Sequence, residues 1–589
     1  RGKGGKGGKG GSQAGNKFPR TVNFKHECMK LARALNEMDK LPGVVFCMSR
    51  KKCVEGAHAI GGLNLLHKAP KKKPDDTDGE EAMLLWKLED DERNKGARSI
   101  EKRRKQMHQK HLQRFMPELG ELEAYTDIMQ LLDSGVAYHH AGMLPVLREF
   151  VELCFQDRLV KLVFATETLA VGVNMPARSV VFTQVDKPND LDEGESHRWF
   201  RTDEFWQMAG RAGRRGMDVQ GFVFYAPTLS VAGLKNKVPM SDMSRMLQGA
   251  MPAATSQLIV DKPFVLRHLA RGHGPEVLDT TLKCDELRRQ RTVLENDLTV
   301  GEGQSRATLT REVHSLVREY EVLNAKLGGT AHGGSLGGGM TIGLNPKQAK
   351  KVKGQMKDII KRSCISQEEF EGHRKYIHAT TTIESQITAS ASMLQSQWSE
   401  NLAWLQQEGF VKPSLEEPSG WALSPRGKAC ASFADGHPLI IGTVIADGYL
   451  KDLSQAEIFA FLCLFLRGTR ANPHCAFELP KPSPALQATL DYANELAEYL
   501  SVKLDQELCL MMLDWCQNKD IKRIAGWIDP YLLGTFVKAV MRIVSYVDIL
   551  KEVLLGLNYY ETHNTLDNHM DALLGGLVTN ESLYLSMAD

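Results

Sequence analysis

Residues 136–167, VAYHHAGMLPVLREFVELCFQDRLVKLVFATE, hold two short apolar runs joined by one amphipathic stretch. Val136-Ala137-Tyr138 and Val160 to Ala165 are too short for helices and read as buried strands of the kind a parallel sheet covers on both faces. Between them Pro145 stands where the first turn of a helix tolerates a residue without an N–H, and a helix from Pro145 to Asp157 follows. Parallel strands need such a crossover, so strand, turn, helix and strand make one βαβ unit. The alternation extends outward. Val44-Val45-Phe46-Cys47-Met48 is a strand upstream, and Ser179 to Val185 and Gly221 to Tyr225 are strands downstream. The expected fold class is α/β, a doubly wound parallel sheet, with helices taking over beyond Pro227.

Gln207-Met208-Ala209-Gly210-Arg211-Ala212-Gly213-Arg214-Arg215-Gly216 combines fixed cations and backbone-exposing glycines more densely than any other ten residues. Arg211 and Arg214 lie three apart and on a helix would share one face. Guanidinium is a planar, always-charged fork that matches phosphate oxygens bidentately, so the decamer reads as a phosphate clamp, against the plainer reading of a basic tip on a surface helix. In open parallel sheets ligands bind at the carboxyl ends of the strands. Ser49-Arg50-Lys51, His139 to Gly142 and Thr166-Glu167 each follow a strand directly, and every conspicuous motif is expected at that edge. Such a rim of donors suits a sugar-phosphate backbone. A pair like His139-His140 taken alone is more often a hydrogen-bonded turn; the shared edge shifts the balance.

The whole chain carries no strong field. Its 74 Lys and Arg stand against 72 Asp and Glu, net +2, so a nucleic-acid site has to be local. A length of 589 residues, 42% hydrophobic and 25% charged, suits a globular protein of three or four domains. Eleven cysteines without a Cys-x-x-Cys, with Cys47, Cys154 and Cys463 inside apolar runs, read as reduced core residues of an intracellular protein, nuclear or cytoplasmic. Neither disulfides nor metal ligands are expected. With no apolar run near the roughly 18 residues of a membrane span, and no apolar signal core, neither membrane nor secretion is expected.

Residues 1–20 read as a disordered Gly/Lys linker. Within the α/β segment, 21–227, a charged insertion spans 67–115; its mixed signs, as in Asp90-Asp91-Glu92-Arg93 and Arg103-Arg104-Lys105, favour a solvated helix over a nucleic-acid arm. A helical insertion is expected over 283–365. There Leu309, Val313, Leu316, Tyr320, Leu323 and Leu327 make a seam at 4-3-4-3-4 spacing, and a basic helix follows with Lys347, Lys350, Lys351, Lys353, Lys357 and Lys361, a competing site for nucleic acid.

Ala165-Thr166-Glu167 to Pro176, followed by Gln207 to Asp218, resembles motifs V and VI of superfamily-two helicases, and the match is closest to the superkiller-type, exosome-associated DExH-box RNA helicases. Val44 to Lys51 is similar to that family's motif IV, and His139 to Met143 to the motif between IV and V. The resemblance implies a second RecA-like lobe at 21–227 facing a first across an ATP site. Arg211 and Arg214 would contact the terminal phosphates as the catalytic cations, with Gln207 beside them, Asn174 near the nucleotide sugar and Gly172 keeping the backbone close. Arg50, Lys51, His140, Gly142, Thr166 and Glu167 would line the nucleic acid. Beyond the lobe it implies a winged-helix domain in two pieces, 228–282 and 366–400, and a C-terminal helical domain, 401–589. The family travels 3′ to 5′ on single-stranded RNA, with RNA-decay machinery as the implied partner. Some members carry an arch with a small β-barrel in the inserted region; no strands of that kind are read over 283–365.

ATP and Mg²⁺ are the implied cofactors, and an arginine finger contributes about 10³ to 10⁵ in rate. The groups that hold the metal belong to a first lobe. No Gly-x-x-x-x-Gly-Lys-Ser/Thr occurs, and Asp91-Glu92, Asp192-Glu193, Asp203-Glu204 and Asp285-Glu286 lack the following His. The expectation is half an ATP site, inactive alone. The reading is the C-terminal part of an ATP-dependent RNA helicase acting in RNA unwinding, processing or decay. A DNA helicase of the same superfamily and a non-enzymatic nucleic-acid-binding scaffold are the alternatives.

Overall fold

In a computed structural model, residues 23–66, 79–171, 175–189, 197–229, 238–252, 258–282, 285, 288–293, 311–327, 346–466, 472, 475 and 477–585 are described. The chain divides into two compact units, 1–253 together with 435–589, and 254–434.

The first unit is built on β1 (Gly43–Phe46), β2 (Val136–His139), β3 (Leu162–Ala165), β4 (Ser179–Phe182) and, after a small hairpin, β7 (Phe222–Tyr225). They form one all-parallel sheet in the order β2-β3-β1-β4-β7. In register, Val45 sits between Phe164 and Val181, so the strand ends are level and the loops after them share one rim. All residues of β1 to β4 are buried. Their apolar runs are continuous because helices cover both faces, whereas β7, at the edge, is partly exposed. This is the RecA-like α/β architecture expected. The hairpin, β5 (Asp186–Pro188) against antiparallel β6 (His197–Trp199), was not expected; its short polar strands carry no period-2 apolar signal.

The charged insertion contains a 33-residue helix, Gly79–His111. Its last turns dock through Arg103 to Asp157 at 2.7 Å, Arg104 to Asp133, and His108 to Tyr125 at 2.8 Å. Leu84, Leu85 and Leu88, further up, are exposed.

The same unit contains the C-terminal helices, among them Pro438–Ala446, Gln455–Cys463, Gln506–Asn518 and Leu533–Gly556. The last of these buries Phe536, Val537, Val540, Ile543, Val547, Leu550 and Leu554 at helical spacing. Each such side chain stabilises by roughly 1.5–3 kcal/mol when fully buried, and the ring of Phe536 meets Trp515 edge-on at 6.0 Å. This bundle is seated on the sheet domain. Gly534 donates its N–H to the Gly142 carbonyl at 2.9 Å, and a Cβ at Gly534 would collide with the Met143 carbonyl. The tail is strapped on as well, with Leu583 N–H donating to Glu149 and the Tyr584 hydroxyl to Glu152, both at 2.7 Å.

In the second unit, helices Arg311–Leu327, Pro346–Arg362 and Gln367–Gln407 share a core of Val313, Leu316, Val317, Ile359, Phe370 and Ile377. Leu309 and the side chains of Leu327 and Lys347 lie outside the described residues. A helix Lys262–Ala270 packs against Pro425–Ser432 and the hairpin of β8 (Val411–Pro413) and β9 (Trp421–Leu423). Ser424 ties that hairpin together, donating from N and Oγ to the Phe410 carbonyl at 2.9 and 3.0 Å. The unit runs to residue 434, past residue 401, the expected start of the C-terminal helical domain.

Candidate functional site

The carboxyl ends of the strands carry a mixed rim. Ser49 stands in extended conformation before helix Arg50–Ile60 without a side-chain capping bond, and Arg50 and Lys51 in the first turn are exposed and without an ion pair among the described residues. Thr166 donates its N–H to the His139 carbonyl at 3.2 Å, and its hydroxyl lies 2.9 Å from that of Thr168. Glu167, exposed beside it, pairs with Lys187 at 3.2 Å.

His140 and Gly142 do not face solvent, contrary to their expected place against a nucleic-acid backbone. His140 is fully buried, stacked on Tyr138 at 5.6 Å, and its Nδ1 accepts the Gly142 N–H at 3.2 Å. Burial first, then the charges of Arg50, His139 and Lys538, lower its pKa to about 4, so the ring is neutral at pH 7. Gly142 is covered by the bundle: a Cβ there would lie 2.6 Å from Leu532 Cδ2. These residues form the turn on which the C-terminal helices rest. The neighbouring His139 is also buried, its Nε2 2.7 Å from Glu152 Oε1. Burial opposes ionisation of Glu152, yet the hydrogen bonds from His139 and Tyr584, with Arg148 nearby, keep its carboxyl below the usual range.

The same seating brings up a cation that sequence reading missed. Lys538, on helix Leu533–Gly556, donates to the Ala141 carbonyl at 2.8 Å, and desolvation of its ammonium against that turn, then Arg148 and Arg50, lower its pKa. Like charges from three separate stretches thus meet at one part of the rim. The signal in sequence was only an Lys538 and an Arg542 on the polar side of an apolar helix.

The arginine loop is elsewhere. Helix Thr202–Ala209 ends before Arg211, so Arg211 and Arg214 are not on a helix and do not share a helical face. Gly213, at φ 93°, takes the left-handed region that ends helical continuation, and donates to the Ala177 carbonyl at 2.7 Å, while Ala177 donates back to the Arg211 carbonyl at 2.9 Å. The helix starts near the carboxyl edge, where Phe200 N–H reaches the Val185 carbonyl. Eight residues at 1.5 Å span about 12 Å, close to a four-residue strand. The loop therefore emerges at the amino ends of β4 and β7, where Phe222 donates to the Arg178 carbonyl. The expectation of one shared rim is corrected: the clamp and the rim are at opposite ends of the sheet.

Arg214 is held by Asp218, its Nε and Nη2 each 2.7 Å from a carboxylate oxygen, with the backbone N–H adding a third bond at 3.0 Å. The Arg214 hydrogen bond holds the Asp218 carboxyl down to about 2 and in turn raises Arg214. Half-buried Arg211 donates to the Ala170 carbonyl, and burial lowers its pKa. Gln207 and Arg215 are exposed. Gly172 and Asn174 lie outside the described residues, among which no His, Cys, Asp and Glu group is arranged to hold a metal ion and no helix is long and apolar enough to cross a membrane.

Residues 105–216 match the helicase conserved C-terminal domain family, and 421–574 match the DSHCT (NUC185) domain. The chain is 34% identical over 242 residues to superkiller complex protein 2 of Homo sapiens, covering 41% of this chain and 16% of that protein. It is 31% identical over 245 residues to the DExH-box ATP-dependent RNA helicase DExH10 of Arabidopsis thaliana, covering 42% and 20%. Against the ATP-dependent RNA helicase mtr4 of Schizosaccharomyces pombe it is 48% identical over 103 residues, 18% of this chain and 9% of that one. The matches thus span a fifth or less of these relatives' lengths.

Proposed function

We propose, from a chain whose helicase C-terminal and DSHCT domains make it the C-terminal portion of a superkiller-type superfamily-two helicase, that it supplies the second RecA-like lobe and the helical floor of an ATP-dependent RNA helicase in RNA unwinding, processing or decay. The observation that carries this reading is the set of cations at the strand ends, Arg50 and Lys51 exposed in the first turn of their helix and Lys538 brought to the Ala141 carbonyl at 2.8 Å. Like charges depress one another's protonation, and a phosphate backbone threading there relieves that cost. Thr166 adds a donor. Because such contacts go to the backbone, binding is tolerant of sequence and sensitive to salt.

ATP, with Mg²⁺, is the nucleotide this reading requires. The loop residues fit its phosphates: Arg211 and Arg214 are forks suited to equatorial oxygens, and Gln207 stands exposed just before them. Bound ATP supplies the free energy for movement. This chain's share is to position guanidinium groups, while the phosphate cradle and metal-holding carboxylates belong to a first lobe. For Arg214 to reach a phosphate its fork leaves Asp218, whose carboxylate, 5% exposed, keeps the Arg214 N–H and Arg178 at 3.8 Å as partners. The 589 residues alone are therefore expected to hydrolyse ATP negligibly.

Binding of oligouridylate to the 589-residue chain, measured against salt, tests the reading. Arg50→Ala and Lys538→Ala should each flatten the slope of log affinity against log salt by about 0.7 per lost contact. Charge reversal at Lys351 and Lys353, exposed on helix Pro346–Arg362, is the control. If the control abolishes binding while neither alanine variant changes affinity or slope, the helical insertion is the nucleic-acid site and the rim is not.

A further inference from the structure

Strand β5 places Lys187 between two carboxylates from different parts of the site. Its Nζ lies 3.2 Å from Glu167 Oε2 and 2.9 Å from Glu204 Oε1. Glu167 follows Thr166 on the rim and is 47% exposed; Glu204 is the third residue of helix Thr202–Ala209 and only 9% exposed. Glu204 also accepts the Arg201 N–H at 2.9 Å, the N3-to-N-cap half of a capping box, and takes the fork of Arg198 at 2.7 and 2.8 Å. Lys187 itself is 15% exposed, so its ammonium has little water to fall back on.

We propose that Lys187 is a positioning residue that couples nucleic-acid occupancy of the rim to the arginine helix, an inference that rests on the function proposed above. A phosphate arriving at Thr166 sets a second negative charge beside Glu167, and like charges repel, so Glu167 gives way. The ammonium then serves Glu204 alone. Held by Arg198 and by an undivided Lys187, Glu204 is kept in the conformation that accepts the Arg201 N–H, which steadies the first turn of helix Thr202–Ala209, the element that carries Gln207 and delivers Arg211. Lysine suits this role, since a compact ammonium with rotatable donors moves between acceptors, whereas the planar fork of Arg198 stays on one carboxylate. No proton is transferred, and the link is a redistribution of one ion pair between two partners.

Hydrogen exchange on the 589-residue chain, free and saturated with oligouridylate, tests the coupling. Ligand-linked protection reports the local stability of the turn. In the parent, oligouridylate should slow exchange of the Arg201 and Phe205 amides, which donate to the Glu204 carboxylate and to the Arg201 carbonyl, about fivefold or more, the range of ordinary site-to-site coupling. Lys187→Met, with Arg198 still on Glu204, should keep the parent's thermal midpoint and oligouridylate affinity but lose that slowing, and Lys187→Arg should retain it. A parent that binds oligouridylate with no response in these amides overturns the inference, as does a Lys187→Met that responds like the parent. Should Lys187→Met fail to fold, the parent's own response decides. A parent that does not bind oligouridylate overturns the proposed function, and the coupling with it.

Discussion

At His140 the surroundings hold a titratable ring in its neutral form. Its folded pKa of about 4 lies below the ordinary value of about 6.5, so the folded chain binds fewer protons there than the unfolded one. The stability this contributes is whole above about pH 6.5 and is lost as the pH falls from there through 4. The loss should be of the order of 2–3 kcal/mol by pH 4. His140→Asn keeps an acceptor for the Gly142 N–H and gains no proton, so its urea midpoint should fall less than the parent's between pH 7 and pH 4. Parallel pH profiles would reject buried titration at this ring. The same residue explains why a histidine beside a strand end is ambiguous in sequence: exposure decides between a phosphate contact and a packed turn, and here His140 is buried on Tyr138, with Leu532 and Tyr531 over Gly142 of the same turn.

Helix Leu533–Gly556 shows how one element is placed by backbone proximity. The Gly534 N–H to Gly142 carbonyl bond requires the two chains to approach as close as glycine allows. Gly534→Ala should therefore destabilise by about 1–3 kcal/mol or more, as overpacking does, and should also weaken oligouridylate binding through displacement of Lys538. Gly556→Ala, at the end of the same helix with nothing within 4 Å of its added Cβ, should change stability by about 0.5 kcal/mol or less. Chemical denaturation of the two variants checks this; a Gly534→Ala chain as stable as Gly556→Ala would mean that helix propensity, which favours alanine in both, outweighs the seam. The helix itself was legible from its apolar spacing. Its resting place on the His140 turn was not.

Over the whole molecule, separate cores imply separable stabilities. Phe370, 1% exposed, sits at the centre of the three-helix core of residues 254–434 and meets Tyr320 edge-on at 5.3 Å. Phe370→Ala should cost about 3–5 kcal/mol, lowering the thermal transition of that unit while the unit built on the parallel sheet keeps its own. Calorimetry resolves the two; a uniform shift of every transition would show that the units unfold as one.

The sequence by itself determined the parallel sheet, because a strand covered on both faces is almost wholly apolar, as β1 to β4 are but for His139 and Ser179 at strand ends. It also determined which residue types could handle phosphate, since guanidinium chemistry does not depend on context. Tertiary structure alone decided where those residues stand. The length of helix Thr202–Ala209 against the strands carries Arg211 and Arg214 to the far end of the sheet. The seating of a bundle from the end of the chain buries His140 and Gly142 and adds Lys538 to the rim. Local pattern reports which face of a segment is apolar, but not which distant segment covers it, and at this site the cover determines which polar groups reach a ligand.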